Sequence, residues 1–198
     1  MMEAESDVAL KEWAAIEDAL AGGRLSVLVR KGGIHEKRGG FEVEHRGFWI
    51  YPTGWHQNEP ELSPAFRGHL GDTPRFPADQ LALRVFCTVE DAWRVEDLAA
   101  LEGLGDLQPF SSETLRSRFE YRGKPYLHVI LVRAHVLPEP RIVPNIAAYE
   151  GCISWVQLED AVEAADAKPA LDDAAFDALR REVMARLGLP ATVTEMSP

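Results

Sequence analysis

Cysteine is scarce: Cys87 and Cys152 are the only two in 198 residues. Two are too few for a disulfide scaffold, and the CxxC and HExxH spacings of metal centres do not occur. Long apolar runs are missing as well. No stretch approaches the ~18 consecutive apolar residues that a membrane-spanning helix requires, so no membrane partner is expected. The opening MMEAESD has neither a basic start nor an apolar run. An export signal is therefore not read there, and a reducing cytoplasm is the expected compartment. Neither GxGxxG nor GxxxxGK(S/T) is present, which leaves nucleotide-triphosphate hydrolysis without support. Basic charge is in deficit too, 21 Lys and Arg against 32 Asp and Glu, a formal net charge of −11. Long duplex DNA is recognised by many Lys and Arg contacts that release counterions, and a negative body repels it.

What is present fits one ordinary globular unit: 46% hydrophobic, 27% charged and 9% aromatic residues. A chain of this size buries roughly 70% of its unfolded surface and needs neither metal nor disulfide to be stable. Charge is unevenly spread. Residues 1–23 and 159–198 each carry −5, residues 51–158 carry −4, and residues 24–50 carry +3. That basic segment holds Arg24, Arg30, Lys31, Lys37, Arg38 and Arg46. It has enough charge for a small anion or a short single strand, and it also reads as a solvated loop of mixed charge.

Ser6 or Asp7 caps an expected amphipathic helix with apolar positions Leu10, Trp13, Ile16 and Leu20, stopped by Gly22 and Gly23. LSVLVR at 25–30 reads as a strand that ends in a Lys31-Gly32-Gly33 turn. Phe41–Glu44 and Phe48–Tyr51 read as a hairpin around His45-Arg46-Gly47, closed by Pro52. The proline- and glycine-rich stretch 54–77 reads as a long loop or lid. A strand from about Leu81 continues irregularly through Val95, and short helices cover 96–101 and 112–119. Tyr126–Leu137 is apolar on both faces and predicts an interior strand ended by Pro138 and Pro140. Another strand covers 153–158. A final helix capped by Asp172 or Asp173 carries Phe176, Leu179, Val183, Met184 and Leu187 on one stripe and stops at Gly188 and Pro190, with 191–198 expected to fray. The order predicts an α+β domain over 1–158 and a C-terminal helical extension over 159–198.

Four motifs in order, RKGGI at 30–34, FEVEH at 41–45, YPTGWHQ at 51–57 and YEGCISWVQL at 149–158, follow an ALKEW start at 9–13. This pattern resembles an uncharacterised bacterial domain-of-unknown-function family, number eighteen-oh-two, a likeness that implies no activity. The order of elements also resembles PUA-like barrels of the ASCH and EVE kind. Those begin with a helix leading into Gly-x-Lys-Thr-x-Glu-x-Arg. Here Gly23 and Arg30 match, Ser26 replaces Thr, and Leu25 and Leu28 replace Lys and Glu. RVFCTVEDAWRVEDLAAL, SSETLRSRF, the 126–137 strand and PEP resemble the closing strand, helices, strand and proline turn. The likeness implies a PUA-like β-barrel with peripheral helices and an added C-terminal helix. It does not imply ASCH-type hydrolysis, whose Lys, Thr and Glu are replaced.

Several groups of residues bear chemistry. Arg30 and Lys31 flank the amides of Gly32 and Gly33, which can approach a phosphate or carboxylate closely. Glu42 and Glu44 share one strand face and can work as acid and base, or as cation ligands with His45 or His56. Trp49, Tyr51, Trp55 and Trp155 can stack a flat ring, with Thr53, His56 and Gln57 reading its polar edge, although Trp13 and Trp49 equally suit a core. Cys152 has no base that sequence can place beside it. A nuclease-type acid followed by Glu-x-Lys is approached only by Glu120-Tyr121-Arg122.

The expected function is the binding of a small anionic or base-containing ligand, a nucleotide, modified nucleoside or short RNA, in the barrel cleft. The expected ligand residues are Arg30, Lys31, Gly32, Gly33, Tyr51, Thr53, Trp55, His56, Gln57 and Trp155. No cofactor and no metal are expected. One alternative is a hydrolase or nuclease acting on a nucleotide or phosphodiester through Glu44 with His45 or His56. Another is an interaction module that forms a homodimer through the C-terminal helix.

Overall fold

Residues 5–32, 35–37, 40–42, 45–54, 58–70, 77–151 and 153–190 are described in a computed structural model, with the backbone alone for 35–37 and 40–42. The first element is strand β1 (Glu5–Trp13), not the beginning of a helix, and helix α1 (Ala14–Ala21) starts only after it. Ser6 and Asp7 therefore cap nothing. Val8, Ala9 and Leu10 are consecutive and all buried, the mark of a strand covered on both faces. So short an apolar run fits either period, and distant ladder partners decide between them. The glycine stop is where it was expected. Gly23 has φ +66°, and a Cβ there would lie 2.9 Å from Leu171 Cδ2.

Strand β2 (Val27–Arg30) follows as predicted. The expected hairpin around Arg46 is not formed. Strands β3 (His35–Lys37) and β4 (Gly40–Glu42) pair with each other, and Phe41 is opposite Glu36. Strand β5 (Gly47–Thr53) instead runs parallel to β1, with Lys11 opposite Tyr51 and Trp13 opposite Thr53. On its other side β5 is antiparallel to strand β6 (Gln80–Val95), but only over Gly47–Trp49. Pro52 thus lies inside β5, beyond the reach of the second partner, where a missing N–H is tolerated. In the expected loop, two 3₁₀ turns, Glu59–Glu61 and Pro64–Leu70, hold Leu62 and Phe66 in the core.

Helices α2 (Leu98–Gly103) and α3 (Ser112–Glu120) begin at the side-chain caps Asp97 and Ser111. Strand β7 (Leu127–Pro144) runs past the two prolines expected to end it. Val85 is opposite Val136 and Leu83 opposite Arg141, so residues 137–140 face only Arg84. Pro138 and Pro140 sit in that bulge, where no ladder N–H is required. Strand β8 (Trp155–Glu163) is antiparallel to β1, and the short β9 (Lys168–Pro169) pairs with β7. Helix α4 (Asp173–Arg186) is capped by Asp172, whose carboxylate accepts the Ala175 N–H at 2.8 Å.

The result is an α+β fold around a seven-stranded sheet in the order β2-β7-β6-β5-β1-β8, with β9 beside β7. Two apolar clusters cover the sheet. The larger joins Leu10, Leu28, Phe48, Ile50 and Val129 to Phe176, Val183 and Leu187 of the last helix. The smaller centres on Trp49, Phe86, Tyr149 and Leu158. β8 passes through residue 158, and the α4 stripe is buried in the chain's own core, so the segment after 158 packs into the same body as the strands. No helix among the described residues is long and apolar enough to cross a membrane.

Candidate ligand-binding site

Successive side chains of a strand point to opposite faces, and the end of β2 separates its two cations accordingly. Arg30 donates through Nη1 to the Glu12 carboxylate and to the Lys11 carbonyl at 3.3 Å. The side chains of Glu12 and Arg30 keep 10% and 14% of their exposure, and Arg30 Nε is buried without an acceptor. Lys31 turns the other way. Its ammonium donates to the carbonyls of Phe119 at 2.8 Å, Tyr126 at 2.9 Å and Lys124. All three of its donors are thereby engaged in tying β2 to the C-terminal end of α3. Burial holds the Lys31 ammonium below the usual lysine range, and the positive charges of Lys124 and Arg94 push the same way.

The other expected ligand residues are dispersed. A Cβ at Gly32 would meet nothing within 4 Å, so sterics do not demand glycine there. Thr53 donates from Oγ1 to the Glu12 carbonyl at 3.1 Å, beside Arg30. Tyr51 belongs to the Trp49 side of the sheet, donating from its hydroxyl to Asn145 Oδ1 at 2.8 Å. Burial raises its phenol above the usual range, and the bond to Asn145 partly offsets this. Trp155 packs edge-on against Phe48 at 5.1 Å and against His45 at 5.0 Å. Gly33, Glu44, Trp55, His56 and Gln57 lie outside the described residues, and with them the proposed acid-base pairs of Glu44 with His45 or His56. Among the described residues, no group of three or more His, Cys, Asp or Glu is arranged to hold a metal ion. Cys87 is deep in the core, and burial pushes its thiol far above the range of a nucleophile.

The structure assembles a constellation at Glu12 that the sequence reading did not single out. Arg118, in the last turn of α3, lays its guanidinium 3.8 Å from the centre of the Phe110 ring and 5.9 Å from that of Trp13. The two rings meet edge to face, with centroids 5.8 Å apart at 84°. Burial lowers the Arg118 guanidinium from its usual range. The carboxylates of Glu12 and Glu61 oppose that shift, and the Arg30 charge adds to it. Arg118 has no hydrogen-bond acceptor among the described residues, so its donors are uncommitted.

The floor of this site is rigid. Gln108, buried, donates to the Phe110 carbonyl and accepts its N–H, both at 2.7 Å. The Ser63 N–H donates to the Pro109 carbonyl and the Ser111 N–H to the Glu61 carbonyl, both at 2.8 Å, while Leu62 bridges to Phe110. The 58–70 segment thus holds the aromatic platform against α3. A signal for the site was available in the sequence. Glu12 and Trp13 end the ALKEW motif and Arg118 stands in SSETLRSRF, but a helical reading of residues 6–20 hides that Glu12 stands on a strand where it meets Arg30.

The arrangement is suited to anion recognition. The Arg30 and Arg118 guanidiniums both feel the Glu12 carboxylate, which is in direct contact with Arg30, with that of Glu61 also acting on Arg118, and Arg118 is stacked on rings without a hydrogen-bond acceptor among the described residues. The comparisons with known proteins supply no residue roles. The crystal structure of ASCH from Zymomonas mobilis is similar at a TM-score of 0.46 and 17% identity, over 77% of this chain and 87% of that chain. A point mutant of the same protein gives 0.44 and 17% over the same shares. No curated protein matches. The model of a domain of unknown function, DUF1802, matches residues 9–182, and the chain belongs to that family.

Proposed function

We propose that the protein binds a small ligand with both an anionic group and a flat ring, a nucleotide being the simplest example, at the mouth formed by the ends of β1, β2 and α3. The observation that carries this reading is the Arg118 guanidinium, stacked on Phe110 and Trp13 and without an acceptor among the described residues. A guanidinium so held gives up little side-chain entropy on binding, and its fork matches two oxygens of a phosphate or carboxylate. Trp13, half-buried beside it, offers ring surface for stacking. Thr53 and Arg30 fix the Glu12 backbone and carboxylate, which keeps the floor of the mouth in place.

Arg118 takes over the anchoring role expected of Lys31, whose donors are engaged by carbonyls. The test is a melting-temperature screen with nucleosides, nucleoside monophosphates and inorganic phosphate. Monophosphates are expected to raise the melting temperature of the native protein and not that of Arg118→Ala, with nucleosides weaker. Equal shifts for the two proteins, or none, would overturn the reading.

A further inference from the structure

Beyond Arg118 the chain makes an unusual turn. Arg122 has φ 58° and ψ 25°, the one non-glycine residue with positive φ among those described, and Gly123 follows with φ 66°. The Lys124 N–H faces the Tyr121 carbonyl at 3.5 Å, so Tyr121–Lys124 is a turn with both central residues left-handed. Gly, Asn or Asp would adopt that conformation at little cost, whereas an arginine there is strained by about 1–2 kcal/mol. The strain is accompanied by display. Tyr121 is 53% exposed, more than any other large apolar side chain among the described residues, and the Arg122 guanidinium lies 5.1 Å from its ring centre. Arg122 and Lys124 are exposed, and neither side chain has an ion-pair partner among the described residues.

The local charge is as uncommon as the geometry. Residues 116–126 hold four cations and one acid in a chain of net charge −11. Arg116 is paired with Glu102 at 3.3 Å, which leaves Arg118, Arg122 and Lys124 along the end of α3 and its turn. An exposed ring beside successive uncommitted cations is the pattern that holds an unpaired strand, in which bases stack and phosphates track the charges. Three cations are far too few for a duplex, and an acidic peptide would leave the displayed ring without a purpose.

We propose that the Tyr121–Lys124 turn extends the Arg118 site along the outside of the barrel and that the ligand is a single-stranded oligonucleotide, with one nucleotide at Arg118 and the next ones on Tyr121 and Arg122. This rests on the reading of the Arg118 site given above and names the class of ligand it takes.

The experiment compares UMP by calorimetry with fluorescein-labelled decauridine and decathymidine by anisotropy, using the full chain, Arg118→Ala, Tyr121→Ala and Arg122→Gly. Arg122→Gly relieves the strained backbone, so its melting temperature should match or exceed the native value and loss of folding cannot explain its effect. Decauridine is expected to bind about tenfold more tightly than UMP. Arg122→Gly should weaken decauridine about fivefold, leave UMP unchanged, and reduce the slope of log affinity against log salt by about 0.7. Binding of decathymidine at similar strength supports recognition of a single strand in general. If UMP binds and decauridine binds no more tightly, the extension fails while the Arg118 site stands. If decauridine responds to Arg122→Gly but not to Arg118→Ala, the turn is a binding surface and the Arg118 reading fails. A polyglutamate peptide of the same charge that binds as well as decauridine would overturn the oligonucleotide assignment.

Discussion

Arg30, on the edge strand β2, and Glu12, on the strand next to the opposite edge, share a largely buried ion pair that draws the two ends of the sheet together. The sheet order alone leaves β2 and β1 four places apart. The pair shows that the sheet curls, and it lies close enough to Arg118 for both of its charges to act on that guanidinium.

Removing one member of such a pair strands the other charge in a desolvated place. Arg30→Met should cost about 3 kcal/mol in urea unfolding, and the double variant Glu12→Gln with Arg30→Met should recover much of it. A native-like midpoint for the single variant would show that the pair contributes nothing.

Lys31 and Arg118 should separate stability from binding. Lys31→Met strips a donor from the carbonyls of Phe119, Lys124 and Tyr126 and is expected to lose about 1–3 kcal/mol of stability, seen as a lower melting temperature, with monophosphate affinity intact. Arg118→Ala should show the opposite pattern. Parallel losses of both properties in both variants would contradict the separate roles.

Glu17, on α1, is buried with Oε1 lacking a partner, and burial pushes its carboxyl up to about 8, against the pull of Arg84. Its folded form holds a proton that the unfolded form releases near 4.5, so the folded state binds more protons between those values. Stability should therefore fall as pH rises from about 5 to about 8. Glu17→Gln should flatten that decline, matching the native protein near pH 5 and melting several degrees higher near pH 9. Identical pH profiles of the two melting curves would refute this.

Gly23 is required twice, by its left-handed φ of +66° and by the contact a Cβ would make with Leu171 and the Ala170 carbonyl at 2.9 and 3.0 Å. Gly23→Ala is expected to destabilise by about 2 kcal/mol or more, whereas Gly32→Ala, in open space, should be nearly silent. Chemical denaturation of the two variants gives the comparison.

Much of the fold was legible where local signals agree with the global arrangement. The two short helices before β7, the Asp172 cap, the α4 stripe, the interior character of β7 and the stop at Gly23 all rest on local chemistry. The errors arose where distant partners decide. β1 pairs in parallel with β5, forty residues away, and no short-range pattern announces that. Prolines expected to end β5 and β7 are accommodated because the neighbouring ladder is absent or bulged at those places. The candidate site was partly legible: Arg30 and Thr53 do meet around Glu12, but which way Lys31 turns depends on carbonyls from residues 119–126. Arg118 could not be selected from its sequence neighbours, since Arg116, two positions earlier on the same helix, is paired with Glu102.

The central claim is tested most directly by calorimetric titration of AMP into the native protein, Lys31→Met and Arg118→Ala under one set of conditions. The account predicts saturable heats of similar affinity for the first two and binding at least about tenfold weaker for Arg118→Ala, as expected when a charge-assisted contact of about 1.4 kcal/mol or more is lost. Indistinguishable binding by Arg118→Ala and the native protein, or no binding by either, would contradict it.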